Sequence, residues 1–246
     1  MFAVDEARLL TGDAFDVGVG IRIQQPTMRQ ILNFGEKEYL AVVSAFTSQP
    51  FDMPYHLSQI GIDFAQIQPF ELFCLLVRGV EPISSKLLFG DLDFTKFLPV
   101  ERNGELILIN KDGIVIDSLT RERMAENIRR LHCIPKNIIT SCENKFTHDL
   151  LISQQKKDIE RARRRAELFG ESSHYASLVS SLACKWHSYD SVLDLKVGQF
   201  FDAITRMGYE QVAQNLYHGI YSGTVSFKDV NKKDLDWMRP IKIKTL

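Results

Sequence analysis

Between residues 97 and 117 two dipeptides, Asn103-Gly104 and Asp112-Gly113, separate three short runs rich in Leu, Ile and Val. Asn-Gly and Asp-Gly accept the positive φ angles of tight hairpin turns, so the stretch predicts a three-stranded antiparallel meander over 97–117. No other feature constrains the fold as much. Most of the chain around it carries the helical period, and a sheet this small needs helices to cover it. Leu106, Ile107, Leu108 and Ile109 are apolar on both faces, which predicts a middle strand with helices on one side and more protein on the other. Phe15, Val17, Val19, Ile21 and Ile23 alternate with Asp16, Gly18, Gly20, Arg22 and Gln24, the period-two pattern of a further strand near 15–24 with one buried face.

The helical signals fall on both sides of the meander. Pro26 fits the first position of a short helix over 27–34 that Gly35 breaks. Tyr39, Val42, Val43 and Phe46 predict a second helix over 36–47. Pro69 opens a helix in which Phe70, Leu72, Phe73, Leu75, Leu76 and Val77 are apolar on nearly all sides, as in a central helix, and its neighbour over 83–89 ends at Gly90. After the meander, Met124, Ala125, Ile128 and Leu131 line one face of a covering helix.

Residues 135–144 are the candidate linker between an α+β N-terminal domain, 1–134, and a helical C-terminal domain, 145–246. In the second domain Leu151, Ile159, Ala162, Ala166 and Phe169 form one stripe of a long helix ended by Gly170. Helices are also predicted over 175–185 and 197–207, and Tyr209, Val212, Ala213, Leu216, Tyr217 and Ile220 mark another before a weakly alternating tail. The expected fold class is α+β and helix-rich, with a small antiparallel sheet and a helical C-terminal half.

A hydrophobic content of 45% in 246 residues supports a core that needs no disulfide staples. Thirty Lys and Arg against thirty-one Asp and Glu give a net charge of -1, so attraction to nucleic acid must be local. Four cysteines read as free thiols in a reducing compartment. Apolar runs such as 70–80 fall short of the roughly 20 residues that cross a bilayer, and the N-terminus lacks the basic start and long apolar run of a secretory signal. A cytoplasmic protein with no membrane partner is therefore expected.

Several groups resemble sites without completing one. Gly18-Val19-Gly20 lacks the third glycine of a dinucleotide loop and sits within the strand pattern, where close approach of another backbone or a glycine-relaxed bulge explains it. Asp91 and Asp93 offer two carboxylates for a divalent cation, the basis of a metal-dependent enzyme alternative, but no further acid lies at a recognisable spacing and a turn leaving a helix explains them. His132, Cys133, Cys142 and His148 are zinc-ligand types at no zinc-module spacing, and Cys184, Trp186 and His187 place a thiol near an imidazole without a third partner. No Gly-x-Ser-x-Gly elbow or Gly-Lys phosphate loop is present. No cofactor, metal or catalytic residue is therefore assigned.

The sharpest local feature is basic: Lys156, Lys157, Arg161, Arg163, Arg164 and Arg165, with Asp158 and Glu160 among them. At about 100° per residue, Lys157, Arg161, Arg164 and Arg165 share an arc away from the Ile159, Ala162, Ala166 stripe. Such a face grips phosphates, docks on an acidic protein or is solvated. No aromatic residue is interleaved to stack bases. With Trp237 just before Pro240, these four residues are the candidate partner-binding groups, since Arg and Trp commonly dominate interface energy.

Ile23-Gln24-Gln25-Pro26-Thr27, Ile31-Leu32-Asn33-Phe34-Gly35-Glu36, Ile62-Asp63-Phe64, Phe70-Glu71-Leu72-Phe73 and Leu88-Phe89-Gly90-Asp91-Leu92-Asp93-Phe94 together resemble uncharacterised proteins in the structural gene cassettes of tailed phages of Gram-positive bacteria. Gly219-Ile220-Tyr221-Ser222-Gly223 and Lys233-Asp234-Leu235-Asp236-Trp237-Met238 are similar to the same group. The resemblance spans most of the chain and is weakest over 135–185. It implies a non-enzymatic virion morphogenesis protein of tail or baseplate assembly, either a chaperone or a structural component, with phage tail or baseplate proteins as partners. It places the protein in the host cytoplasm during assembly and leaves retention in the virion and the oligomeric state open. A nucleic-acid-binding protein using the basic helix 156–165 is the alternative.

Overall fold

The computed structural model describes residues 6–239 except Asn103, Thr140, Glu143, Glu171 and Ser172. Helix α1 (Glu6–Thr11) leads into a hairpin of β1 (Phe15–Gly18) and β2 (Ile21–Ile23), then α2 (Met28–Phe34), α3 (Glu36–Thr47), α4 (Pro54–Gln59), α5 (Pro69–Val77) and α6 (Pro82–Phe89). The meander follows as β3 (Leu98–Arg102), β4 (Glu105–Ile109) and β5 (Val115–Ile116). The rest is helical: α7 (Ser118–His132), α8 (Lys145–Phe169), α9 (His174–Trp186), α10 (Tyr189–Leu193), α11 (Val197–Tyr221) and α12 (Lys232–Leu235). The architecture is α+β and helix-rich, with two small antiparallel sheets ordered β1-β2 and β3-β4-β5.

The single strand expected over 15–24 is a hairpin. Gly18, Val19 and Gly20 all take positive φ and reverse the chain, with a bulge between Asp16 and Gly18. Both strands of a hairpin share their two faces, so Phe15, Val17, Ile21 and Ile23 all reach the core while Val19, at the tip, is 52% exposed. The next helix begins one residue later than expected. Thr27 caps α2: its hydroxyl accepts from the Gln30 backbone N–H at 3.1 Å, and the Gln30 side-chain oxygen accepts from the Thr27 N–H at 2.9 Å. Pro26 stands just ahead of that cap, and its carbonyl accepts from the Val197 N–H at 2.9 Å. The Met28 N–H in turn donates to the Leu195 carbonyl at 3.0 Å, which ties the start of α2 to the start of α11.

Phe46 of α3 lies at the centre of an aromatic group, with ring centroids 4.4 Å from Phe89, 4.8 Å from Phe94 and 5.6 Å from Phe73. Met124, Ala125, Ile128 and Leu131 of α7 are buried as their spacing predicts, and the same core continues through Tyr175, Val179 and Leu182 of α9 to Val197 and Phe200 of α11. Gly198 permits that last approach: a Cβ there would lie 2.7 Å from both the Gln25 side-chain oxygen and Leu9 Cδ1. A second, smaller cluster gathers Leu57, Phe64 and Leu72. Helix α5 sits between the two clusters, sending Phe73 to one and Leu72 to the other, while Leu75 is exposed.

The described residues of 135–144 form no helix or strand and lie along the surface, where the Lys136 ammonium reaches Glu122 at 2.6 Å and the Asn137 amide donates to Asp52 at 2.9 Å. The two helices expected over 197–207 and 209–220 are one, since α11 runs through Gly208 without interruption. No helix of the described residues is long and apolar enough to cross a membrane.

Two arginines of α7 are buried where charge alone would put them outside. Arg121 donates to the Ser48 carbonyl at 2.6 Å and Arg129 to the Thr47 carbonyl, so both guanidiniums cap the C-terminal end of α3, which lacks helical donors for its last carbonyls. The Gln49 amide, oriented with its oxygen toward them, accepts from both at 2.9 and 3.0 Å. Burial lowers the pKa of each arginine, and the Glu122 carboxylate beside them opposes that shift.

Candidate partner-binding surfaces

Helix α8 is about 37 Å long at 1.5 Å per residue, and only its first half finds a surface to lie on. His148, Leu151, Ile152 and Gln155 share one arc. His148 stacks on Phe64 with centroids 4.5 Å apart, and Leu151 and Ile152 join the small cluster that contains Leu57 of α4. Gln155 accepts from the Tyr55 N–H at 2.7 Å and donates to the Asp52 carbonyl at 2.6 Å. The same arc continues as Ile159, Ala162, Ala166 and Phe169, the stripe expected to be buried. It is not: α8 contains no buried residue, and Phe169 is 80% exposed. Helical spacing sets which side chains share a face, but burial needs an opposing surface, and α4 ends at Gln59.

Lys157, Arg161, Arg164 and Arg165 are all exposed on the outer arc, as predicted. Arg161 lies 3.3 Å from Asp158, and Arg163 lies 3.0 Å from Glu167. Among the described residues Lys157, Arg164 and Arg165 have no ion pair. The outer arc also carries exposed apolar groups, Phe146, Leu150 and Leu168. Basic and apolar side chains interspersed on one face suit an interface better than a purely solvated surface does.

Trp237 belongs to a different surface. The tail, expected to alternate weakly, forms a short 3₁₀ turn and α12, which packs against α11. Arg206 of α11 donates to the carbonyls of Met238 and Arg239 at 3.3 and 3.1 Å, while the Arg239 guanidinium stands 4.3 Å over the Tyr209 ring and binds Asp234 at 2.9 Å. Trp237 is thereby held, 42% exposed, at a cleft of about 420 Å³ lined with Leu10, Trp186, Leu195 and Met207. Pro240 and the rest of the expected tail lie outside the described residues.

Asp91, Asp93, His132 and His148 have structural partners. Asp93 accepts from the Thr95 hydroxyl at 2.6 Å and the Thr95 N–H at 3.0 Å and pairs with Lys96, and these contacts, the hydroxyl foremost, hold its carboxyl below the usual range. Asp91 is exposed, with Lys86 at 3.7 Å. His132 is a core residue. Its Nδ1 faces the Ile128 carbonyl at 2.7 Å and so carries the proton, leaving Nε2 to accept from the Tyr39 hydroxyl at 2.8 Å. Burial pushes its pKa down to about 4. His148 belongs to the α8 contact, Cys133 is half-buried with its thiol pKa raised by burial, and Cys184 is exposed. Among the described residues no three of His, Cys, Asp and Glu come together as a group able to hold a metal. The buried pair Arg121 and Arg129 is what the sequence analysis missed, and its only local signal is that both fall toward the apolar side of α7.

Residues 173–242 match the family model of the YomV second domain. This stretch, under half of the chain, contains α9 to α12 and Trp237 but not α8. The family is a Bacillus phage-type one, so the likeness is to a phage-related protein. The motifs over 219–223 and 233–238 lie inside the match, and those before residue 95 lie outside it. The chain matches no curated protein and no solved structure.

Proposed function

We propose that this phage-related protein acts by contact and not by catalysis, in tail or baseplate assembly, as a chaperone or a structural component of the particle, in the host cytoplasm. The observation that carries the proposal is the free half of α8, whose outer arc presents exposed Lys157, Arg161, Arg164 and Arg165 beside Leu168, with only Arg161 among the four in an ion pair, to Asp158 of the same helix. The likeness to the YomV second domain supports the phage setting, and Trp237 at its cleft offers a second contact surface.

The test is co-purification. Arg161→Glu, Arg164→Glu and Arg165→Glu together are expected to leave the thermal midpoint unchanged and to abolish co-purification of tail or baseplate proteins from infected cells. Undiminished co-purification would remove this arc from consideration. A second reading, nucleic-acid binding by the same arc, is favoured by the lack of ion pairs at Lys157, Arg164 and Arg165. Phosphate binding weakens steeply with salt, so titration of duplex DNA and of RNA at several salt concentrations decides it, and no binding at low salt would dispose of it.

A further inference from the structure

The inner arc of the free half of α8 differs from the outer one. Ile159, Ala162, Ala166 and Phe169 are spaced i, i+3, i+7 and i+10, the a and d positions of a heptad, and they prolong the arc that Ile152 and Gln155 use against the body. A stripe that is packed for its first half and open for its second is an unfinished helix–helix contact. Among the described residues none of its second half is buried: Ile159 and Ala166 are half-buried, and Ala162 and Phe169 are exposed. Lys156 and Arg163 flank it on one side, where Arg163 lies 3.0 Å from Glu167 of its own helix, and Asp158 and Arg165 flank it on the other.

We infer that this inner arc is the docking site for an acidic amphipathic helix of a partner protein. The inference rests on the contact reading proposed above and specifies its partner. The charge on the arm decides between occupants. Residues 156–169 hold six basic and three acidic side chains, so a second copy of the arm would set a net +3 against a net +3. A partner helix with apolar a and d positions and carboxylates at the flanking e and g positions instead meets Lys156 with opposite charge and replaces Glu167 in the exposed pair with Arg163, and the small Ala162 and Ala166 let its backbone come close. This is helix-in-groove recognition with the groove edge supplied by basic stems.

The test uses the full chain and two labelled synthetic peptides, one with Leu at a and d and Glu at e and g, the other with Lys in place of every Glu. Fluorescence anisotropy is expected to show binding of the Glu peptide alone, weakened at least tenfold by raising the salt. Ile159→Asp is expected to weaken it at least tenfold more, with circular dichroism and thermal midpoint unchanged. Equal binding of both peptides, binding of neither, or binding indifferent to Ile159→Asp would overturn the inference. So would a dimer in sedimentation velocity that Ile159→Asp dissociates, because a second copy would then be the occupant. Co-purification with tail or baseplate proteins separates the two proposals. If Ile159→Asp retains those proteins and the outer-arc triple reversal loses them, the contact reading stands and the acidic-helix inference falls. If the Glu peptide binds as expected and neither variant alters co-purification, the tail or baseplate assignment falls and the acidic-helix inference stands.

Discussion

Helices α7 and α8 each carry four arginines on an amphipathic pattern, yet α7 buries eight residues, two of those arginines among them, and α8 buries none. The difference lies in what faces each helix. α7 crosses the C-terminal end of α3, where unpaired carbonyls give a buried guanidinium its hydrogen bonds, and Glu122 supplies the opposing charge. In the second half of α8 no described residue is buried and none of its arginines bonds a carbonyl of another element among the described residues. An arginine in this molecule is therefore structural or available according to the helix end it meets, not according to its own helix.

The largest expected effect breaks the comparison at a single residue type. Arg129→Ala strips the Thr47 carbonyl of its donor and leaves a void, which should cost about 3–4 kcal/mol by analogy with other broken buried polar contacts. Arg161→Ala, on an exposed side chain, should cost under about 0.5 kcal/mol. Urea unfolding of the two variants side by side checks this, and equal losses would show that the free half of α8 is packed in solution.

The next effect is a pH dependence that the core should have and the arm should lack. His132 is buried neutral, with its pKa lowered by burial from 6.5 to about 4. The folded state therefore binds a proton less readily than the unfolded chain. Stability from this group is fully present above pH 6.5 and is lost as pH falls toward 4, by roughly 3 kcal/mol at about 1.4 kcal/mol per unit. Unfolding midpoints measured between these pH values should slope downward on acidification, and His132→Gln should flatten the slope. A slope unchanged in that variant would mean that other groups set it.

How much of this was legible depended on whether the cause was local. The helices containing Tyr39 and Phe70, the turn at Asp112-Gly113 and the arc of Arg161, Arg164 and Arg165 follow from neighbours a few residues apart, and the structure has them where the spacing puts them. The hairpin at Val19 was hidden because both strands send residues to one face, so the alternation ran on through the turn. The exposure of Phe169 and the burial of Arg129 depend on surfaces contributed by α4 and α3, distant in sequence, and no period within α7 or α8 encodes them.

Helix α11 repeats the contrast within one element, and its smallest expected effect sharpens it. Val197 and Phe200 are fully buried, whereas Val212, Tyr217 and Tyr221 beyond Gly208 are exposed despite their helical spacing. Gly208 is exposed, its φ is not positive, and a Cβ built there meets nothing within 4 Å. Alanine at that position should restrict the unfolded chain and favour the helix at no steric cost, raising stability by about 0.5–1 kcal/mol and the thermal midpoint by about 1–4 °C. A fall in the midpoint on Gly208→Ala would mean that glycine is needed there for a bend that seats Ala213, which is buried beyond it.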